Sequence, residues 1–351
     1  MPPDSAAAAA PPFPAPSRSW QRLAHELQYY NLDAPQLDER LRPAEPGTRL
    51  LLLGGQGVDG GPAHHSKWLQ CFDRKAGGWG VLGDMAVGRP CGCGAAAVGA
   101  YLYAFGGEGD DVVQPGCMTM YIMATRKMEE AAKPPLALQY CTGVACGGLV
   151  YSLGGWNEAL HARVADVCVY NPDIDVWVIG PALPLAMYGL AAAEHSGCIY
   201  ACGGWNGVAP ALTSGSLLML DPRTRSWASL PAMPTPVGHA RAAVVAGRMY
   251  VPGGGTREAG RVTALPTLQC YDLVAGRWDT GCAPMAEARA DHGVATSEGE
   301  VWAVGGAWRD AEQTLHARAS VEVYSPQLNT WRAGVPLPLA RYHGTSVVVQ
   351  C

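Results

Sequence analysis

Three arginines, Arg89, Arg289 and Arg341, each stand a few residues ahead of a short apolar run, at recurring places along the 351-residue chain. A guanidinium carries a fixed fork of donors that matches a carboxylate bidentately, so a set of such arginines could hold an acidic group of a peptide. Further polar and aromatic residues share these stretches: Tyr140, Tyr188, His239, His292 and His343. A second set follows pairs of glycines: Trp156 with Asn157, Trp205 with Asn206, Arg257, and Trp308 with Arg309. Tryptophan and arginine are the residue types that most often dominate interface energy, so the two sets together read as a partner-binding rim. Glu108, Asp110, Asp111 and Asp310 lie beside the second set, so the rim is mixed in sign. The alternative for the arginines is solvated loop charge or pairing within the fold, and for the tryptophans simple loop packing.

No catalytic constellation accompanies these residues, and the chain reads as a binding protein rather than an enzyme. Cys91-Gly92-Cys93 is too tightly spaced for a zinc pair and has no second pair at finger spacing. His64-His65 falls in a polar loop. Gly106-Gly107-Glu108-Gly109 and Gly253-Gly254-Gly255 lack the lysine and helix of a phosphate loop. No metal and no cofactor are therefore expected. The net charge of −5, without a basic stripe, argues against nucleic acid. No apolar run approaches membrane-spanning length, so no membrane partner is expected.

The elements that must position the two sets repeat. Glycine pairs begin at Gly54, Gly106, Gly154, Gly203, Gly253 and Gly305, at intervals of 52, 48, 49, 50 and 52 residues. Alternating apolar runs such as Ser320–Tyr324 read as half-buried strands. Trp79, Trp177, Trp227, Trp278 and Trp331 follow in register, each after an aromatic or apolar residue and a turn. In-phase tryptophans of this kind pack between repeats. A period near 50 with this signature resembles the kelch repeat, one four-stranded blade per unit, and predicts an all-β, six-bladed propeller. With 44 glycines and 28 prolines, the composition suits such a turn-dense chain. In the second unit Met128 or a neighbour takes the tryptophan position, and a short or irregular outer strand is expected there.

The first unit lacks the strand that precedes each later glycine pair, while Arg341–Gln350 is a spare copy of it. The economical arrangement pairs the two, because an open ring would leave costly strand edges. The propeller is thus expected over 48–351. Residues 1–18 are Ala/Pro-rich and read as disordered. Residues 19–46 read as a helical segment, with Trp20, Leu23, Ala24, Leu27 and Tyr30 at helical spacing. Of the 12 cysteines, Cys71, Cys141, Cys168, Cys198 and Cys202 lie in or beside predicted strands as small apolar residues. Without a secretory leader in the sequence, this favours a reducing, cytoplasmic setting.

His25 to Leu32, with Leu37 and Arg40 beyond, resembles the last BACK helix of the BTB–BACK–kelch (kelch-like) family; an unrelated capping helix is the alternative. That resemblance implies the substrate-recognition half of a cullin-3 ubiquitin-ligase adaptor, with a protein or peptide substrate held at the channel rim. In the family cullin-3 is engaged only through the BTB domain, which this sequence lacks. A stand-alone kelch scaffold for actin or a signalling protein is the second reading. A metal-dependent kelch enzyme is the third, since some kelch propellers are copper–tyrosyl oxidases, although no spacing here is diagnostic of one.

Overall fold

The computed structural model describes residues 48–53, 55, 68–73, 77–84, 92–107, 118–123, 125, 127–207, 212–258 and 261–350. The expected helical segment at 19–46, the expected disorder at 1–18 and Arg89 lie outside these residues.

Every regular element among the described residues is a strand, and the strands form a six-bladed β-propeller. Each blade is an antiparallel four-stranded sheet. Blade 2 contains Gly94–Val98, Tyr101–Phe105, Met118–Ile122 and Lys127–Ala131; blade 3 contains Thr142–Cys146, Leu149–Asn157, Ala162–Asn171 and Val176–Ile179. Blade 4 runs from Ala191–His195 through Cys198–Cys202 and Leu217–Asp221 to Ser226–Leu230. Blades 5 and 6 begin at Ala243–Val245 and Gly293–Ser297 and end at Arg277–Asp279 and Thr330–Ala333. Blade 1 is assembled from both ends of the described chain. Thr345–Gln350 pairs with Thr48–Leu53, with Leu51 opposite Val347 and Leu53 opposite Thr345, and Trp68–Asp73 and Gly78–Asp84 complete the sheet.

Second strands are almost wholly buried, because each blade is covered on both faces by its neighbours. Tyr101–Phe105, Cys198–Cys202 and Glu300–Val304 each hide all but the first residue. The core is therefore a series of inter-blade layers rather than one centre. Between blades 3 and 4, Leu153, Val167, Leu190, Ile199 and Leu220 are all completely buried in one such layer. Each contributes about 1.5–3 kcal/mol by leaving water. The cysteines take part: Cys71, Cys141, Cys168 and Cys202 are buried, Cys198 partly so. Burial pushes the thiols of Cys168 and Cys202 up to about 12.

Two devices join successive blades. The first is the in-phase indole. Trp79, Trp177, Trp227, Trp278 and Trp331 donate Nε1–H to Val335, Ala132, Pro181, Pro231 and Ala283 respectively, each carbonyl belonging to the preceding blade, at 2.8–2.9 Å. The second is the glycine pair. Its second N–H donates to the loop opening the next blade: Gly155 to Met187, Gly204 to Val237, Gly254 to Arg289 and Gly306 to Arg341. The first glycine of each described pair, at Gly106, Gly154, Gly203, Gly253 and Gly305, has positive φ, and a Cβ on Gly203 would lie 2.2 Å from the Val237 carbonyl oxygen. No side-chain-bearing residue fits there, which accounts for the repeated motif.

Blade 2 is more regular than its sequence implies. Lys127–Ala131 pairs with Met118–Ile122 over five positions. Met128 stands opposite Tyr121, as Trp177 stands opposite Tyr170, so it holds the tryptophan position without the indole bond.

Candidate functional site

The loop before each first strand carries one residue forced into left-handed backbone. These are Gly92, Tyr140, Gly189, His239, Asp291 and His343, with φ between 52° and 64°, one from each blade. Four of the six are not glycine, and left-handed backbone at such residues costs about 1 kcal/mol or more each. The conformation is maintained by backbone bonds passing from blade to blade. Gly189 N donates to Tyr140 O, His239 N to Gly189 O, Asp291 N to His239 O and His343 N to Asp291 O, at 2.9–3.0 Å. The result is a hydrogen-bonded collar, and its side chains meet on one face.

They form the floor of a cavity of about 350 Å3. The Tyr140 ring lies 5.7 Å from that of Tyr188, 5.3 Å from His239 and 5.4 Å from His343. Trp205 packs against His239 at 5.6 Å. Asp291 sits between two imidazoles: His239 Nδ1 lies 2.6 Å and His343 Nε2 3.2 Å from its Oδ1. Burial alone would raise the Asp291 carboxyl, but the charges and hydrogen bonds of both imidazoles outweigh it and hold the group well below the usual carboxylate range. Burial likewise raises the Tyr188 phenol, partly offset by Arg163 and Arg257.

Two hairpins outside the four-stranded sheets build one wall: Gly255–Glu258 with Arg261–Ala264, and Ala307–Arg309 with Leu315–Ala317. They are tied together where Val262 N donates to Gln313 Oε1 at 2.9 Å. From them Arg257, Val262, Trp308, Arg309 and Leu315 reach the cavity. Trp308 stacks on His316 at 4.7 Å and lies beneath the Arg318 guanidinium. On the opposite side, Trp156 donates its indole N–H to Glu158 at 2.8 Å.

Of the residues singled out from sequence, Tyr140, Trp156, Tyr188, Trp205, His239, Arg257, Trp308, Arg309 and His343 line this cavity together. Others do not. Arg289 is fully buried and serves the fold: it donates to Gly305 O at 2.9 Å, to Ser320 O at 3.0 Å and to Glu322 Oε1 at 2.6 Å. Arg341 is 2% exposed, and burial lowers its guanidinium to about 10. Neither can clamp a carboxylate on a peptide. Their positions correspond to Leu138, Met187 and Val237, whose carbonyls likewise receive the glycine-pair or strand bonds of the preceding blade. His292 is buried with its counterparts Cys141, Leu190 and Ala240. Asn157 is spent locally, accepting the Leu160 N–H at 3.1 Å, and neither it nor Asn206 lines the cavity. Trp205 is 5% exposed, a floor residue rather than a projecting anchor.

The rim as read from sequence did not include Asp291 or Gln139, which share its loops, nor Val262 and Leu315, and all four line the cavity. A signal for Asp291 exists: His239, Asp291 and His343 are spaced by 52 residues each, one blade apart. Val262 and Leu315 carry none, because the length and pairing of their hairpins are set by the fold.

Comparison with known proteins agrees with this architecture. A family model described as the KLHDC2/KLHL20/DRC7 Kelch-repeats domain matches residues 140–350. Kelch-like protein terF of Aspergillus terreus is 27% identical over 271 residues, covering 73% of this chain and 58% of that protein. Human Kelch-like protein 23 is 26% identical over 254 residues, covering 72% of this chain and 43% of that one. The chain thus spans about half the length of the curated relatives it matches. A solved structure titled "Structure of YjhT" superposes with a TM-score of 0.64 at 16% identity, covering 73% of this chain and 87% of that one, a likeness of fold. The family model spans well over half of the sequence, from the collar tyrosine of blade 3 to the closing strand of blade 1, and the chain belongs to the kelch-repeat propeller family.

Proposed function

We propose that this propeller is a protein-interaction module that takes a short peptide segment into the collar cavity. The observation that carries the reading is the make-up of that cavity. Indoles and phenols from blades 3, 4 and 6 surround it, two guanidinium groups, Arg257 and Arg309, stand at its wall, and five blades contribute to its lining. Rigid aromatic area with a few placed charges is what anchors a turn or chain end, and the volume suits a few residues rather than a whole domain. Similarity to kelch-like proteins supports a narrower reading, the substrate-recognition half of a cullin-3 ubiquitin-ligase adaptor acting in the cytoplasm. Under it the family's BTB domain would engage cullin-3 while this cavity holds the substrate. A stand-alone scaffold would use the same cavity without the ligase.

Selection of short peptides against the purified propeller from a displayed library tests the reading. Peptides so enriched are expected to lose affinity at least tenfold on Arg257→Ala with Arg309→Ala, and on Trp156→Ala, with the melting temperature within a few degrees of wild type. Selected peptides that bind these variants as tightly as wild type would place the interaction on another face.

A further inference from the structure

The sequence offers no metal motif, because its three best donors lie a full blade apart. The fold removes that separation. One donor atom each of His239, Asp291 and His343 all lie within 4.8 Å of one another, and among the described residues no other set of three His, Cys, Asp or Glu donors does so. Both imidazole nitrogens approach the same carboxylate oxygen, at 2.6 and 3.2 Å. We propose that His239, Asp291 and His343 bind one divalent transition-metal ion at the floor of the collar cavity.

Four features of the cluster point this way. The donors are of the right kind: two imidazole nitrogens and a carboxylate oxygen suit zinc, cobalt, nickel or copper(II), whereas calcium and magnesium seek all-oxygen shells. The donors are held in place. Each projects from a left-handed collar residue, and His239, Asp291 and His343 are joined in series by backbone bonds of 2.9 Å. The spacing is close to that of a coordination shell. Metal–nitrogen and metal–oxygen bonds of about 2.1 Å put tetrahedral ligands about 3.4 Å apart, so the His239–Asp291 contact must open by less than 1 Å. Finally, the three side chains are mostly covered, at 14–18% exposure, yet all line the cavity. Three protein ligands with the remaining position facing a cavity are the arrangement that admits water or a ligand atom as the fourth donor.

The alternative is a purely proton-bridged triad, in which Asp291 accepts from both imidazoles and nothing else binds. Cobalt(II) separates the two. The full chain, stripped with a chelator and then freed of it, is titrated with cobalt(II) while the visible absorption of the ion is followed, and zinc is then added in competition. One equivalent of cobalt should bind, with the absorption of a four- or five-coordinate ion, and zinc should displace it. His239→Gln and His343→Gln should each weaken binding at least tenfold, whereas Cys282→Ser, outside the site, should leave it unchanged. X-ray absorption of the zinc-loaded wild-type chain needs no variant, and should show nitrogen and oxygen neighbours without sulfur. No stoichiometric uptake by the wild type, equal uptake by both histidine variants, or sulfur in the first shell would each overturn the proposal. The titration uses no peptide, so its outcome is independent of the peptide reading.

Discussion

His292 follows the collar residue Asp291 and points the other way, into the protein, where it is 1% exposed. Burial, with Arg289 and Arg241 nearby, lowers its imidazole from 6.5 to about 3. The folded-state value therefore lies below the unfolded one. Above pH 6.5 both states are neutral at this residue and the contribution to stability is complete. As pH falls from 6.5 toward 3, the unfolded chain takes up a proton that the folded one refuses, and stability drops by up to about 1.4 kcal/mol per pH unit. Unfolding free energies from denaturant titrations at pH 7 and pH 5 should differ by about 2 kcal/mol from this group alone. In His292→Leu, which places at this position the residue found at Leu190, that part of the difference should vanish. An unchanged slope in the variant would show that another group titrates. The same comparison across blades explains why the arginines misled. Arg289 and Arg341 are binding types by chemistry, but their counterparts Leu138, Met187 and Val237 are apolar, and position in the blade decides burial before side-chain type decides chemistry. His239 and His343 fall in phase with Tyr140 and Gly189, whose backbone is likewise left-handed, and the two histidines reach the cavity with Tyr140.

Among the elements, the glycine pair does most to turn separate sheets into neighbours. Its requirement can be divided into two parts with a pair of substitutions. Gly197 has φ +76° and open space around the site of a Cβ, so Gly197→Ala carries backbone strain alone, about 1 kcal/mol. Gly203 has a similar φ of +69° but a carbonyl oxygen 2.2 Å from the would-be Cβ, so Gly203→Ala must also push blade 4 away from blade 5. Urea unfolding should show a loss at least twice as large for Gly203→Ala; equal losses would mean that the blades separate without cost at this point. The repeat was readable at this scale because both inter-blade devices use residues with few substitutes: a glycine where a Cβ collides, and an indole that fills a layer and donates at its rim. Blade 2 was misjudged because Met128 fills the layer equally well without the donor, so regular pairing survived the loss of the marker. The cavity-wall hairpins were not readable. Their strands are three or four residues long, and what holds them is contact with each other.

At the scale of the molecule, stability is distributed around a closed circuit of inter-blade layers, and blade 1 is the joint. Thr345–Gln350 supplies its innermost strand, pairing along the whole of Thr48–Leu53. Val347 packs in the layer shared by blades 1 and 2, and Thr345 is buried. Removing Thr345–Cys351 exposes the Thr48–Leu53 edge and opens that layer. Several buried apolar groups at about 1.5–3 kcal/mol each represent much of a typical margin of about 5–15 kcal/mol. The truncated chain should therefore lose its cooperative melting transition or elute as aggregate on size exclusion; an unchanged melting temperature would show that the other five blades suffice.

The two-ended blade also gives the chain a history. A ribosome makes Thr48–Leu53 before, and Thr345–Gln350 after, all the strands of blades 2 to 6, so the strand that first needs a partner waits through the synthesis of every other blade. Blades 2 to 6 can form from local hairpins as they emerge, while blade 1 stays a three-stranded sheet with a bare apolar edge. The nascent protein is thus most vulnerable to wrong pairing, and most in need of a chaperone, in the interval before Thr345–Gln350 leaves the exit tunnel.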